Sequence, residues 1–324
     1  MKVLDLFCGA GGLSWGFKRA GFKVTGVDSS EQAKQTFELN RIGDFRKRDL
    51  TFQTIEGNFD VLIGGPPCKP WSAVNTVKRG KSHRDYKLLE KFFEHVQRLH
   101  PKVFLLENVP PLASDPALQS WIGKLADPGG LGYSVGTRRV CYGDYGAATR
   151  RHRLVVFGSR VGSALEFFDK LEARKKKPST VRHAIWHLKA IGKDELPDHV
   201  WPNLRTIDRY AKYYDSNKYG WYVLKWNESA PSFGNVTKTY ILHPDSANGG
   251  KRVISVKEAS LIMGFARGFR FPRDTSMVDR YQLVADSVSP KFSAAAALAV
   301  RDLLSGDPKQ NGRNYEIDQF NAIR

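Results

Sequence analysis

Val3 to Phe17 reads VLDLFCGAGGLSWGF: a short apolar strand, a turn carrying Gly9, Gly11 and Gly12, and an amphipathic run that continues to about Ala20. A strand that breaks on glycines and restarts as a helix is the opening unit of an open, mostly parallel sheet. The glycines let the backbone turn tightly and approach a ligand closely. No GxxxxGKS pattern follows, so the turn is not a phosphate loop. The same alternation repeats outward along the chain. Lys23 to Val27 is a second strand, followed by a helix near Gln32 to Leu39, and Val61 to Ile63 and Val103 to Leu106 are apolar runs suited to burial on both faces. Between them, Leu88, Leu89, Phe92, Phe93, Val96 and Leu99 recur at helical spacing within Tyr86 to Leu99. Val135 to Tyr142 and Leu154 to Gly158 form a closing strand pair. The expected fold is α/β, a Rossmann-like sheet with helices on both faces.

The pattern changes after Arg160. Glu172 to Lys177 (EARKKK) ends at Pro178 and reads as a linker or exposed rim. From there to about Lys251 the alternation is lost. Trp186, Trp201, Trp221 and Trp226 gather there with Tyr210, Tyr213, Tyr214, Tyr219, Tyr222 and Tyr240, which predicts a smaller, irregular domain whose aromatics serve as core. Helical periodicity returns at Lys257 to Met263 and from Pro290 to Leu304, where proline suits a first turn.

At 324 residues the chain has room for about two domains. Its 41% hydrophobic and 26% charged residues suit a folded protein better than a disordered one. No uninterrupted apolar stretch reaches the roughly 18 residues of a membrane span; even Phe292 to Val300 is flanked by Lys291 and Arg301. The N-terminus reads as a first strand rather than a signal peptide, which places the protein inside the cell. Cys8, Cys68 and Cys141 are odd in number and widely spaced, which fits neither a disulfide framework nor a CxxC metal site, and no metal is expected. Lys and Arg number 51 against 33 Asp and Glu, a net charge of +18 that favours a nucleic-acid partner. The excess is concentrated in Lys69 to Lys91 and in Arg138, Arg139, Arg150, Arg151, Arg153 and Arg160.

Both clusters flank residues suited to chemistry. Asp28 ends the second strand, where a ribose hydroxyl pair would be held, and Asp49 lies further along the same cleft, near an adenine amino group. In IGGPPCKPWS, Gly64 to Pro67 make a rigid lead into Cys68, which stands at a strand end beside a basic segment and so reads as a nucleophile. In FLLENVP, Glu107 ends another inner strand and should face the same cleft, because the carboxyl ends of parallel strands converge on one site.

These motifs resemble those of the DNA (cytosine-5) methyltransferases of the restriction-modification type. DLFCGAGGLSWGF resembles the family's cofactor motif, GGPPCKPWS its catalytic loop, LLENVP its glutamate motif and YGAATRRHR its arginine motif. KRVISVKEASLIMGF resembles the segment after the target-recognition domain, and YQLVADSVSP the closing motif, whose helix packs back on the first domain. The resemblance implies a catalytic domain of residues 1–173 and 252–324 and a target-recognition domain of 174–251. It makes S-adenosylmethionine the cofactor, held by Phe7, Gly9, Gly11, Asp28, Asp49, Pro66 and Asp286, with S-adenosylhomocysteine as product. Cys68 would add to C6 of a cytosine flipped out of duplex DNA, since C5 alone is too weak a nucleophile for a methyl sulfonium. Glu107 would serve N3, Asn108 would hold the loop carrying Glu107, and Arg151 and Arg153 would contact the base and its phosphate. Methylation at C5 is then followed by loss of the C5 proton and release of Cys68. Ser72 to Lys91 suits a loop that closes over DNA, with Lys69, Ser72 and Arg84 as contacts. Ser232 to His243, with Asn235, Thr237, Lys238 and Thr239, is the candidate stretch for base reading in the recognition segment.

Five positions depart from the family pattern: Lys69 and Thr149 stand for glutamines, Ala266 for proline, and Ala285-Asp286 for Gly-Asn. An extra carboxylate at Asp286 would repel the cofactor's own unless it is screened. Two alternatives stay open: the tRNA-methylating branch of the family, whose threonine is replaced by Ser72, and a degenerate homologue that binds DNA without catalysis. The family implies a cytoplasmic, prokaryotic, archaeal or phage-encoded monomer, with a cognate restriction endonuclease as a separate companion.

Overall fold

The computed structural model describes residues 1–71, 83–127, 129–203, 207, 209, 221–248 and 251–306. Its main sheet has the order β3-β2-β1-β4-β5-β8-β6. The strands are β1 (Lys2–Leu6), β2 (Lys23–Asp28), β3 (Asp44–Lys47), β4 (Val61–Gly64), β5 (Val103–Asn108), β6 (Ser134–Cys141) and β8 (His152–Ser159), with β7 (Thr149–Arg150) outside it. The first five are parallel; β8 lies antiparallel to β5, and β6 antiparallel to β8.

Alternate residues of the inner strands enter opposite cores, as the two-residue period of a strand requires. Val3, Val61, Ile63, Val103, Leu105 and Phe157 face one side; Leu4, Leu6, Leu62, Phe104, Leu106 and Val156 face the other. Both sets are buried, which is why these strands read as continuous apolar runs. On the first side lie α1 (Gly12–Arg19), α2 (Glu31–Leu39), α5 (Ala164–Glu172) and α9 (Pro290–Ser305); α3 (Lys87–Leu99) and α4 (Pro116–Ala126) cover the second.

The last helix does pack back on the first. At Gly16 an added Cβ would fall on the backbone of Ser293 and Ala294, and Ser293 Oγ donates to the Leu13 carbonyl, so α1 and α9 touch almost main chain to main chain. With α8 (Met277–Asp286), this helix makes Met277–Ser305 long and apolar enough for a membrane span by composition, although Asp286 and Lys291 interrupt the apolar run. That stretch breaks at Ser287–Ser289, and 78% of its most apolar window is buried in the protein, so it is core.

The basic run after Leu171 is mostly exposed, an outer rim with Arg174 on Asp302 of α9 and Lys175 on Glu172 at 2.6 Å. The inserted region holds α6 (Val181–Ile185), a β9 (Tyr222–Val223) and β11 (Ile241–Leu242) pair, and β10 (Ala230–Pro231), which runs parallel to β7. Val181, Ile185, Leu224, Phe233 and Ile241 join the same core as Val3 and Phe157. The inserted region is thus an outgrowth of one hydrophobic core, with α7 (Val256–Met263) buried at the junction. Trp201, Trp221 and Trp226 pack partly buried against that core, as core aromatics should. Trp186 is 44% exposed and lies under Arg182 and Lys189, at 4.2 and 4.7 Å from its ring. Tyr210, Tyr213, Tyr214 and Tyr219 lie outside the described residues.

Candidate active site

The carboxyl ends of β1, β2, β4 and β5 open on a cavity of about 420 Å³. A parallel sheet places a ligand there because its strand ends, and the loops that follow them, all point to one edge. Phe7, Gly9, Asp28, Asp49, Pro66, Cys68, Lys69, Glu107, Asn108, Arg151, Arg153 and Asp286 all line it.

One half of the cavity is built on the glycine turn. Phe7, Gly9 and Gly11 all have positive φ, of 61°, 51° and 81°. For Phe7 that conformation is strained, and the strain is held where the chain leaves β1 for the cavity. Gly9 N–H donates to Asp28 Oδ2 at 3.0 Å, and Ser30 N–H to Oδ1 at 2.9 Å. Each Asp28 oxygen thus ties down backbone and keeps further lone pairs for a ligand. Burial raises the Asp28 carboxyl above its ordinary range, and Asp286 adds to the rise. Deeper still, Asp5 is pushed up to about 7, chiefly by burial; Ser14 Oγ donates to its Oδ2 at 2.6 Å, while Oδ1 has no partner. Asp49 sits at the rim, its Oδ1 accepting from Thr51 N–H at 2.9 Å. Gly11 shapes the turn without lining the cavity.

The other half carries the thiol. Glu107 is buried, and its Oε1 receives both the Tyr142 hydroxyl at 2.5 Å and Arg153 Nε at 3.0 Å. Its Oε2 faces Gly65, where an added Cβ would stand 3.4 Å away, so the Cys68 loop passes in ordinary contact with the carboxyl. Asn108 Nδ2 donates to the Pro66 carbonyl at 2.9 Å, while its Oδ1 accepts from Val109 N–H at 2.8 Å. Asn108 therefore clamps the Cys68 loop as well as its own, a wider role than the one expected of it. Burial raises the Cys68 thiol, and Arg153 and Arg151 pull it back down.

Arg151 differs most from its expected role. Its guanidinium donates to the Phe233 carbonyl at 3.1 Å and the Ala285 carbonyl at 2.6 Å, so it joins the inserted region to the end of α8. Arg84 has a side chain 88% exposed, 3.4 Å from Asp85, and Lys238 is exposed; neither lines the cavity. Ser72 lies outside the described residues, and α3 has already begun at Lys87, so the last residues of the expected closing loop are helix. Sequence reasoning missed Tyr142, Asp5 and Gln282. Tyr142 follows β6 and reaches Glu107 only because β6 and β5 both flank β8; no spacing in the sequence announces that contact.

Sheet order and the cavity at the strand ends define a Rossmann-like α/β protein. A model of the C-5 cytosine-specific DNA methylases matches residues 1–301, and the chain belongs to that family. It is 27% identical to the Type II methyltransferase M.FnuDI of Fusobacterium nucleatum, over 95% of this chain and 96% of that one. It is 28% identical to M.NgoPII of Neisseria gonorrhoeae, over 94% and 96%. Among solved structures, a prophage-encoded DNA modification methyltransferase (E. coli) superposes with a TM-score of 0.68 at 22% identity, covering 94% of this chain and 99% of that one. Spodoptera frugiperda DNMT2 superposes with 0.66 at 16% identity, covering 94% and 99%. Family and fold imply S-adenosylmethionine, and the cavity suits it: Asp28 has lone pairs to spare for a diol, and the orphaned Asp5 Oδ1 is a buried acceptor. Gly9, where an added Cβ would meet nothing within 4 Å, leaves the turn open.

Proposed function

We propose that this protein methylates C5 of cytosine in duplex DNA as the modification enzyme of a Type II restriction-modification system, through a covalent bond from Cys68. The observation that carries this reading is one cavity shared by Cys68, the Glu107–Arg153 pair and the Asp28-anchored turn. Two substrates can meet there, one on each half.

Phe7, Gly9, Asp28, Asp49 and Pro66 hold S-adenosylmethionine, which supplies an electrophilic methyl group when bound. Cys68, as thiolate, adds to C6 of a cytosine flipped into the cavity, at an unstacking cost of roughly a few kcal/mol. Negative charge then builds on N3, where the Glu107 carboxyl donates or shares a proton through Oε2, the oxygen that Tyr142 and Arg153 leave uncommitted. Arg153 sets the direction of that carboxyl and lowers the thiol toward its reactive form. Asn108 fixes the loop from which Cys68 attacks. Water then takes the C5 proton, the C5–H electron pair restores the C5–C6 double bond, and the C6–S bond breaks to release Cys68 as thiolate. Residues 174–251 act as the target-recognition segment and residues 1–173 with 252–324 as the catalytic part. Lys69, Ser72 and Arg84 supply contacts to the DNA, and Lys238 belongs to the stretch that reads base edges.

The test is incubation with mixed duplex DNA and labelled S-adenosylmethionine, followed by bisulfite sequencing, with tRNA as a parallel substrate. Label at cytosines of one short DNA motif is expected. Label on tRNA alone, or on neither, overturns the proposal.

A further inference from the structure

Asn235 opens the turn that carries Lys238, and it is buried, so it does not read bases itself. Its Oδ1 accepts from Thr237 N–H at 3.1 Å and from Thr237 Oγ1 at 2.7 Å. Its Nδ2 donates to the Val278 carbonyl at 3.1 Å and to Gln282 Oε1 at 3.1 Å. Gln282 Nε2 in turn donates to both oxygens of Asp286, at 2.9 Å each. Gln282 and Asp286 both line the cavity.

The direction of every link is fixed by chemistry. A backbone N–H can only donate and a backbone carbonyl only accept, so Thr237 and Val278 orient the Asn235 amide. Its NH2 then requires an acceptor from Gln282, which turns the Gln282 NH2 toward Asp286. An ionised carboxylate is all acceptor and takes it with both oxygens. The chain thus runs from the Lys238 turn to the carboxylate that stands where the family pattern has asparagine. Charge on Asp286 disfavours charge on both Asp28 and Cys68, so how Asp286 is held bears on both halves of the cavity.

We infer that Gln282 is a positioning residue that couples the Asn235–Thr239 turn to the cofactor cavity through Asp286. The inference rests on the proposed function, with DNA against the turn and cofactor in the cavity. DNA that holds the turn keeps Asn235 on Gln282 and Gln282 on Asp286. Loss of either link releases a carboxylate toward the cofactor's own.

Calorimetric titration of S-adenosylhomocysteine into the full chain, alone and with saturating mixed-sequence duplex DNA, tests this. The wild-type protein should bind it at least about fivefold tighter with DNA, a typical coupling between linked sites. Gln282→Leu and Asn235→Ala should each bring that ratio close to one, and the double variant no further, because both cut the same chain. Asp286→Asn should also bring the ratio close to one, since it removes the carboxylate that Gln282 restrains. Should Gln282→Leu fail to fold by circular dichroism, the isosteric Gln282→Glu takes its place, since it cannot donate to Asp286. A wild-type ratio in the Gln282 variant, or additive losses in the double variant, overturns the inference. A protein that methylates DNA yet shows a ratio of one defeats the coupling alone. A protein that binds no S-adenosylhomocysteine defeats the proposed function, and the coupling with it.

Discussion

The Tyr142 hydroxyl lies 2.5 Å from Glu107 Oε1, the same oxygen that Arg153 Nε approaches at 3.0 Å. Two donors on one oxygen fix the rotation of the carboxyl and leave Oε2 toward the Cys68 loop. Tyr142→Phe removes one donor to a buried charged group, an interaction worth about 1.5–3 kcal/mol, or roughly tenfold to a hundredfold in rate. The expected outcome is a fall of that size in kcat with little change in DNA affinity, read by steady-state methylation and by gel shift. Unchanged kcat would mean that Arg153 alone aligns Glu107.

Cys68 must be a thiolate to react, and burial holds its thiol above the ordinary value of 9.0. Below that raised pKa the thiolate fraction grows about tenfold per pH unit. Alkylation of Cys68 by iodoacetamide, followed by mass spectrometry of its peptide, should therefore accelerate through pH 9 without a plateau. Arg153→Leu removes a cation that lowers the thiol, so it should slow alkylation at any fixed pH in that range. A plateau near neutral pH in the wild-type protein would contradict this. Cys68→Ala should abolish methylation and keep DNA binding.

Asp5 is pushed up to about 7 in the folded protein from an ordinary value of 3.8. Between these values the folded state binds more protons than the unfolded one, so this group's contribution to stability falls as pH rises from about 4 to about 7 and is flat beyond. Asp5→Asn keeps an acceptor for Ser14 Oγ and removes the buried charge. Its melting temperature should therefore exceed the wild-type value at pH 8 by more than it does at pH 5, as differential scanning fluorimetry would show. An equal change at both pH values would mean that Asp5 does not titrate in this range.

Gly16→Ala should loosen the seam between α1 and α9, because the new methyl falls on the backbone of Ser293 and Ala294, which has no side-chain freedom to yield. Overpacking of this kind costs about 1–3 kcal/mol. The urea midpoint should drop accordingly. Gly123→Ala, inside α4 where an added Cβ would meet nothing within 4 Å, is a control for the steric part of that effect.

Much of the site was legible because strand ends in a parallel sheet converge. Cys68 and Glu107 each follow a short apolar run, and each run became an inner strand, so their meeting at one edge followed from the pattern. The irregular region was harder to read. It was legible as a break in the alternation, yet its aromatics joined the main core through α7 rather than forming one of their own. Helices α4, α5 and α8 were not anticipated either. Their positions are set by tertiary packing: Phe93 on Trp121 of α4, Phe157 on Phe167 of α5, and Tyr281 of α8 hydrogen-bonded to the Ile254 carbonyl.

The sequence by itself determined the alternating sheet, the glycine turn with its acid, and the thiol, carboxyl and arginine that line one cavity. Those features are local: a two-residue or helical period, a turn that only glycine takes easily, a residue type at a strand end. Tertiary structure alone decided how the buried polar groups are partnered. Arg151 clamps the Phe233 and Ala285 carbonyls, Tyr142 reaches Glu107, and Asn235 reaches Asp286 through Gln282. A buried donor must find an acceptor, and which one it finds depends on the distant backbone that packing brings beside it.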